Sequence, residues 1–423
     1  MNILYLAHRI PYPPNKGDKL RAFRQIERLS RRHFVRCVCF IDDPVDFRHV
    51  ESLKRVCGDV LAVPLNRRRA TLKGLWGLAR GRTITESFYA HCAMREALRR
   101  ACMEIRFDVA VAFSSSMAPY ALSVPAERHV LDLCDCDSEK WAAYSQYASP
   151  ATRWLYALES RRLATCERQW ANSFDATMVV TESEAQTLRP HIERGKLHVV
   201  GNGVDVVPLC PVAKPGVVGA PVVGFVGVMD YFPNVDAVCW FAEHCWPSIR
   251  AQVPRAELRI VGRSPVGRVR RLTRRAGITV VGEVENVAEQ LREFDVSIAP
   301  LRIARGVQNK VLEAMAAAKP VVVTPQVAAS FGAVDGHDCV VADAPDRVAR
   351  AVTRLLLDPI ERTRIGESGR RFVTANFRWE DQLQRFEQIV TGQTVRSMDV
   401  QTLGLRSTNL VASPVHVAEN QPA

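Results

Sequence analysis

The 423-residue chain has no apolar run approaching the ~20 residues that a membrane-spanning helix needs. Met1-Asn2 leads straight into Ile3–Ala7 without the charged start of a signal peptide. These absences point to a soluble or peripheral protein. Its 12 cysteines contain no CxxC repeat. Cys37/Cys39 and Cys134/Cys136 are one residue apart within expected strands, so each pair shares a face as small core residues. A reduced cytosolic chain fits best. A GxGxxG fingerprint is missing after the first strand, which argues against a dehydrogenase. No aromatic-rich basic motif is present, which argues against nucleic acid as a partner. Acidic residues are scarce in the first quarter. Residues 1–100 hold 21 Lys+Arg against 9 Asp+Glu, while the rest hold 36 of each. The whole net charge of +12 therefore sits in that quarter and implies a polyanionic partner such as an anionic membrane.

What is present is strand–helix alternation, twice over. Residues 1–207 read as one Rossmann-like domain and 221–375 as a second, because a single core of this size would be unusual. The proline-rich stretch 208–220 reads as a linker, 376–392 as a helix packing back towards the first domain, and 393–423 as a disordered tail. The expected fold class is α/β, two doubly wound domains facing a central cleft.

The most informative stretch is Val296–Thr324. An apolar strand is followed by the basic loop Arg302–Gln308. A helix with Val311, Leu312, Met315 and Ala318 on one face comes next, then a β-branched strand. Lys319-Pro320 ends the helix, since a residue before proline is pushed from the α region. Gly306 and Val307 precede the helix N-terminus, where free amides and the dipole favour a phosphate. Arg302, Arg305 and Lys310 add charge. Glu313, three residues past Lys310, is placed to accept hydrogen bonds from vicinal hydroxyls such as those of ribose. Diphosphate plus ribose describes a nucleotide diphosphate. Gly17, Gly262 with Arg263, and Gly282 stand at other strand exits and complete the expected donor-binding set. The Asp135-Cys136-Asp137 pattern invites a metal. The second nucleotide-type motif argues instead that Asp135 lines the cleft and faces the reacting group, with no metal and no cofactor.

Arg67, Arg68 and Arg69 open a segment in which Leu72, Leu75, Trp76 and Ala79 recur at helical spacing among Lys73, Arg80 and Arg82. That pattern suits a helix lying on an anionic bilayer, although Gly74, Gly77 and Gly81 weaken helix propensity there.

Gly306–Ala316 with Lys319–Val322 resembles glycosyltransferase family 4, as does Gly201-Asn202-Gly203-Val204-Asp205 as a domain exit. Asp132–Trp141, Val228–Ala237 and Pro300–Gly306 resemble more particularly the sugar transferases associated with PEP-CTERM/exosortase exopolysaccharide systems. The resemblance implies a GT-B fold and a retaining, metal-independent glycosyltransferase. Its expected donor is a nucleotide sugar, and its acceptor a lipid-linked or polysaccharide chain at the cytoplasmic face of the plasma membrane. The first of the family's two paired glutamates falls on Arg305, while Glu313 matches the second, which grips ribose. Asp135 stands where members often carry a histidine near the reacting sugar. Asp135, Arg305 and Lys310 are therefore the expected catalytic residues. A sugar-nucleotide epimerase and a non-catalytic sugar-nucleotide-binding scaffold remain as alternatives.

Overall fold

The computed structural model describes residues 1–207, 209, 219–304 and 306–393. Arg305, most of the 208–220 stretch and the tail beyond Gln393 lie outside them. The first domain carries a parallel sheet of seven strands: β1 (Asn2–Ala7), β2 (Phe34–Ile41), β3 (Asp59–Pro64), β4 (Phe107–Phe113), β5 (Ala126–Asp132), β6 (Ala176–Val179) and β7 (Leu197–Val199). Their order is β3-β2-β1-β4-β5-β6-β7. The second carries six: β8 (Val222–Val226), β9 (Glu257–Val261), β10 (Ile278–Gly282), β11 (Val296–Ala299), β12 (Val321–Val323) and β13 (Val340–Val341). Their order is β10-β9-β8-β11-β12-β13. In each sheet the order reverses beside the first strand, and the crevice at such a reversal, outside the carboxyl ends, is where these sheets bind ligands.

Helices cover both faces, so the strands are nearly continuous apolar runs. Leu4, Leu6, Val38 and Phe40 pack on one side of the first sheet, and Ile3, Tyr5, Cys37 and Cys39 on the other. Cys134 and Cys136 depart from expectation. β5 ends at Asp132, Cys134 adopts φ 62°, and Cys136 precedes the helix Asp137–Tyr147, so the two share no strand face. β3 escaped sequence reading because Asp59 and Pro64 bound an edge strand. Its pairing to β2 is reinforced by Arg36–Asp59 at 3.0 Å.

The helix Trp379–Thr391 leaves the second domain and buries Phe386, Ile389 and Val390 in the first domain's core. Each such side chain contributes roughly 1.5–3 kcal/mol. Arg28–Glu387 at 2.6 Å pins the same junction. Gly203 is needed there: an added Cβ would lie 2.5 Å from the Trp379 backbone.

The helix Arg67–Ala79 forms in spite of its glycines, and they explain its packing. A Cβ on Gly74 would meet Ile84 at 2.9 Å, and one on Gly77 would collide with Ser87. The glycine face thus lies tight against the helix Ile84–Tyr89. The opposite face leaves Leu72, Leu75 and Trp76 exposed at 69%, 46% and 59%.

Candidate active site

Two helix N-termini meet in the cleft. Gly17–Ser30 starts after β1, and Asn309–Ala316 starts after the β11 loop. Gly17 faces Asn309: an added Cβ would lie 3.6 Å from its Nδ2, in ordinary van der Waals contact. Asn202 Nδ2 donates to Asn309 Oδ1 at 3.1 Å, tying the Gly201–Asp205 exit to the same point. Neither helix has a side-chain cap, since Lys16 and Gln308 at the N-cap positions make no capping hydrogen bond. Uncapped N-termini present amide donors and positive dipole ends, which bind phosphate.

Cations outnumber acids at this point, where Asp18 in the first turn pairs with Arg9 at 3.3 Å and partly supports the Lys16 charge. Burial lowers the Lys16 ammonium, and the nearby charges of Arg9 and Arg263 lower it further. Arg263 belongs to the second domain, so like charges face each other across the cleft and favour an anion between them. Burial also pushes Lys310 down to about 7, partly opposed by Glu313. Lys310 Nζ donates to Asn234 Oδ1, which fixes its direction. Glu313 is pushed up to about 7 by burial, with Lys310 opposing and Asp205 adding to the rise. Among the described residues nothing donates a hydrogen bond to the Glu313 carboxylate. It lines a cavity of about 210 Å³ with Leu20, Val204, Asp205, Asn286, Val287 and Leu291. Such a carboxylate in a cleft is suited to a ligand's hydroxyls. A larger cavity, about 410 Å³ between Arg28, His33 and Glu387, lies at the other end of the first helix. Its Arg28 is committed to Glu387 and Glu380.

The first-domain wall rests on a buried network. Arg21 Nε donates to Asp132 Oδ2 at 2.8 Å, and its Nη atoms reach Gly201 O at 3.0 Å and Val200 O at 2.9 Å. Gln25 donates to Asp132 at 2.6 Å, and Asp132 in turn accepts from Cys134 N at 2.9 Å. This holds the strained turn, with Cys134 at φ 62°, that aims Asp135. Asp135 reaches the other domain: a Cβ on Gly306 would stand 2.3 Å from its Oδ1. Burial raises the Asp135 carboxyl, Lys140 opposes the rise and Asp137 adds to it. Lys140 is itself held charged against burial by Asp137, Tyr231 and Tyr144. Asp137 accepts from Ser115 Oγ at 2.8 Å. Among the described residues no group of three or more His, Cys, Asp or Glu is arranged to hold a metal ion.

The structure thus gathers Gly17, Arg263, Lys310, Glu313, Gly306 and Asp135 at one place. Val307 packs into the second-domain core, 8% exposed. Arg302 is placed differently from expectation. Its guanidinium forks onto Asp236, with Nε–Oδ2 at 2.9 Å, so its charge is matched within the protein. Gly262 serves packing: its amide donates to Gly282 O at 2.7 Å, and a Cβ would strike Gly227 O. Gly282 takes φ 86° at the end of β10. Arg305 lies outside the described residues. Arg67, Arg68, Arg69 and Trp76 sit apart from the cleft, joined to it through Arg67–Asp42 at 3.4 Å. Sequence reasoning missed Lys16, Asn234, Lys140 and Asp205. Lys16 directly before Gly17 was the available signal.

Residues 220–358, about a third of the chain, match the family model described as glycosyl transferases group 1. No curated protein sequence matches the chain. Solved structures resemble it over nearly their whole length. Sucrose-phosphate synthase (tll1590) from Thermosynechococcus elongatus is 17% identical with a TM-score of 0.70, covering 93% of this chain and 99% of its own. Anabaena Alr3699/HepE in complex with UDP and glucose is 14% identical at 0.66, covering 92% and 99%. WaaG, a glycosyltransferase involved in lipopolysaccharide biosynthesis, is 16% identical at 0.65, covering 92% and 100%. At these identities the likeness establishes the fold, a GT-B arrangement of two parallel-sheet α/β domains.

Proposed function

We propose that the protein is a glycosyltransferase that moves a sugar from a nucleoside-diphosphate sugar to a lipid-linked or polysaccharide acceptor. The observation that carries this reading is the meeting of two uncapped helix N-termini beside Lys16, Arg263 and Lys310, with Glu313 one turn further on. A diphosphate fits between the amides and cations, and a ribose fits the carboxylate. The group 1 match over residues 220–358 and the UDP and UDP-glucose complexes of Alr3699/HepE support the same reading.

In the reaction the bond between the anomeric carbon and the β-phosphate oxygen breaks, the acceptor hydroxyl oxygen bonds to that carbon, and the hydroxyl proton passes to the leaving diphosphate. Negative charge builds on the leaving diphosphate. Fixed amide donors and Lys310, Lys16 and Arg263 stabilise it, and losing one such group costs ~3–4 kcal/mol in well-studied cases. These cations take the part a divalent metal plays elsewhere, so turnover is expected to survive a chelator. Asp135, held over Gly306, faces the space where the sugar sits. A retaining outcome and a place in an exosortase-linked exopolysaccharide system follow from the resemblance of the motifs.

Among the described residues no helix is long and apolar enough to cross a membrane. Attachment is proposed through the exposed Leu72, Leu75 and Trp76 within their arginine surround, where Arg80 lies 3.4 Å over the Trp76 ring. The attachment proposed is to the cytoplasmic face of an anionic membrane. The donor reading is tested by calorimetry with UDP and GDP sugars. Glu313→Ala is expected to weaken binding by roughly 1–3 kcal/mol. Unchanged affinity would remove Glu313 from the site.

A further inference from the structure

Besides Glu313, the nucleoside end of the cleft holds two carboxylates with no task in the reading above, Glu285 and Asp205, and Asp205 is the one whose charge acts on Glu313. Asp205 ends the Gly201–Asp205 exit and lines the same 210 Å³ cavity as Glu313. Arg24, from the first helix, donates to Asp205 Oδ2. Among the described residues nothing donates to Oδ1. The two carboxylates are close enough that Asp205 adds to the upward shift of Glu313. Much of the remaining wall is apolar: Leu20, Val204, Val287, Ala288 and Leu291. Like charges sharing a cavity repel, and ligand hydroxyls donating to both relieve that repulsion.

A ribose carries two vicinal O–H donors, whereas 2′-deoxyribose carries one. Glu313 stands beside Lys310 on the phosphate side, so the 3′-hydroxyl, next to the phosphate-bearing arm, falls to it. The 2′-hydroxyl, next to the base, falls to Asp205. We propose that Asp205 is a specificity residue that makes the enzyme select ribonucleotide sugars over 2′-deoxyribonucleotide sugars of the thymidine type. Arg24 engages Oδ2 alone and does not line the cavity, so recognition of the hydroxyl rests on Oδ1 and not on the ion pair. The inference rests on the donor reading.

The test compares UDP with dUDP, and GDP with dGDP, by calorimetry on the full chain. Wild type is expected to bind the ribonucleotide about tenfold more tightly, the effect of one hydrogen bond to a charged group. Asp205→Asn should bring the ribo/deoxy ratio close to one by weakening the ribonucleotide while leaving the deoxynucleotide nearly unchanged. Arg24→Gln breaks the same ion pair and should keep the preference, which separates recognition from a purely structural role. A wild-type ratio in Asp205→Asn, or equal loss of preference in Arg24→Gln, overturns the proposal. Failure of both UDP and GDP to bind wild type overturns the donor reading first, and this inference with it.

Discussion

Gly306→Ala places one methyl group between the two domains, and its effects separate by origin. Gly306 has φ 61°, a left-handed backbone that costs an alanine about 1–2 kcal/mol. That part belongs to the second domain alone and should lower its melting temperature by only ~2–8 °C. The second effect crosses the cleft. The new Cβ would stand 2.3 Å from Asp135 Oδ1, a separation that real atoms do not hold. Asp135 is aimed by a turn braced on the buried Arg21–Asp132 pair, so the loop or the whole cleft must give way. Opening separates Gly17 from Asn309 and divides the anion site between its halves. Nucleotide binding should therefore fall well beyond what the backbone term explains. Adding Asp135→Ala removes the clashing oxygen and should restore part of it. The check is a double-mutant cycle on UDP affinity, with an expected coupling of at least ~1 kcal/mol between positions 135 and 306. A coupling indistinguishable from zero would show that the domains do not meet through these residues.

Arg21→Met leaves Asp132 buried without its cation and should destabilise the first domain by ~3–5 kcal/mol in urea titration; a loss below 1 kcal/mol would mean the network is dispensable. Donor binding should have a pH optimum near 7, because Lys310 must be protonated to meet the diphosphate and Glu313 ionised to accept hydroxyls. Protonation of Glu313 weakens binding on the acid side, and deprotonation of Lys310 weakens it on the alkaline side. Lys310→Arg should remove the alkaline limb and Glu313→Gln the acid limb; a flat profile in wild type would refute both assignments. Replacing Arg67, Arg68 and Arg69 with Ser should weaken binding to acidic liposomes by ~1 kcal/mol per charge, and Trp76→Ser should lower what survives high salt; no change in either rules out the membrane-facing helix.

Local pattern carried the sequence reading as far as local pattern reaches. Strands buried on both faces declare themselves as apolar runs, and Val296–Ala299 with Asn309–Ala316 was legible as strand, loop and helix for that reason. The capping box, in which the Thr181 hydroxyl accepts from Glu184 N and the Glu184 carboxylate from Thr181 N, is local in the same way, written in a Thr-x-x-Glu spacing. β3 was not legible, because an edge strand bounded by Asp59 and Pro64 gains its identity from pairing with β2. Glycine in the helix Arg67–Ala79 looked like a weakness until its partner helix was in place.

The same limit governs the site, where charge depends on long-range pairing. Arg302 and Lys310 read alike as cations beside a phosphate loop. Arg302 meets Asp236, 66 positions away, in a forked ion pair, whereas Lys310 donates to the neutral side chain of Asn234 and has only the partial opposition of Glu313 against its burial. Lys16 and Arg263 lie in different domains, and only the folded cleft brings their charges together. A strand-end glycine is equally ambiguous, since Gly17 faces the other domain's helix while Gly262 is consumed by its contact with Gly227. Anion binding here is consequently a property of domain closure. With the cleft open, each domain offers one helix end and a few cations. Closed, Lys16 meets the like charges of Arg9 and Arg263, which Asp18 offsets only in part, so a bound diphosphate supplies part of the free energy that holds the domains together.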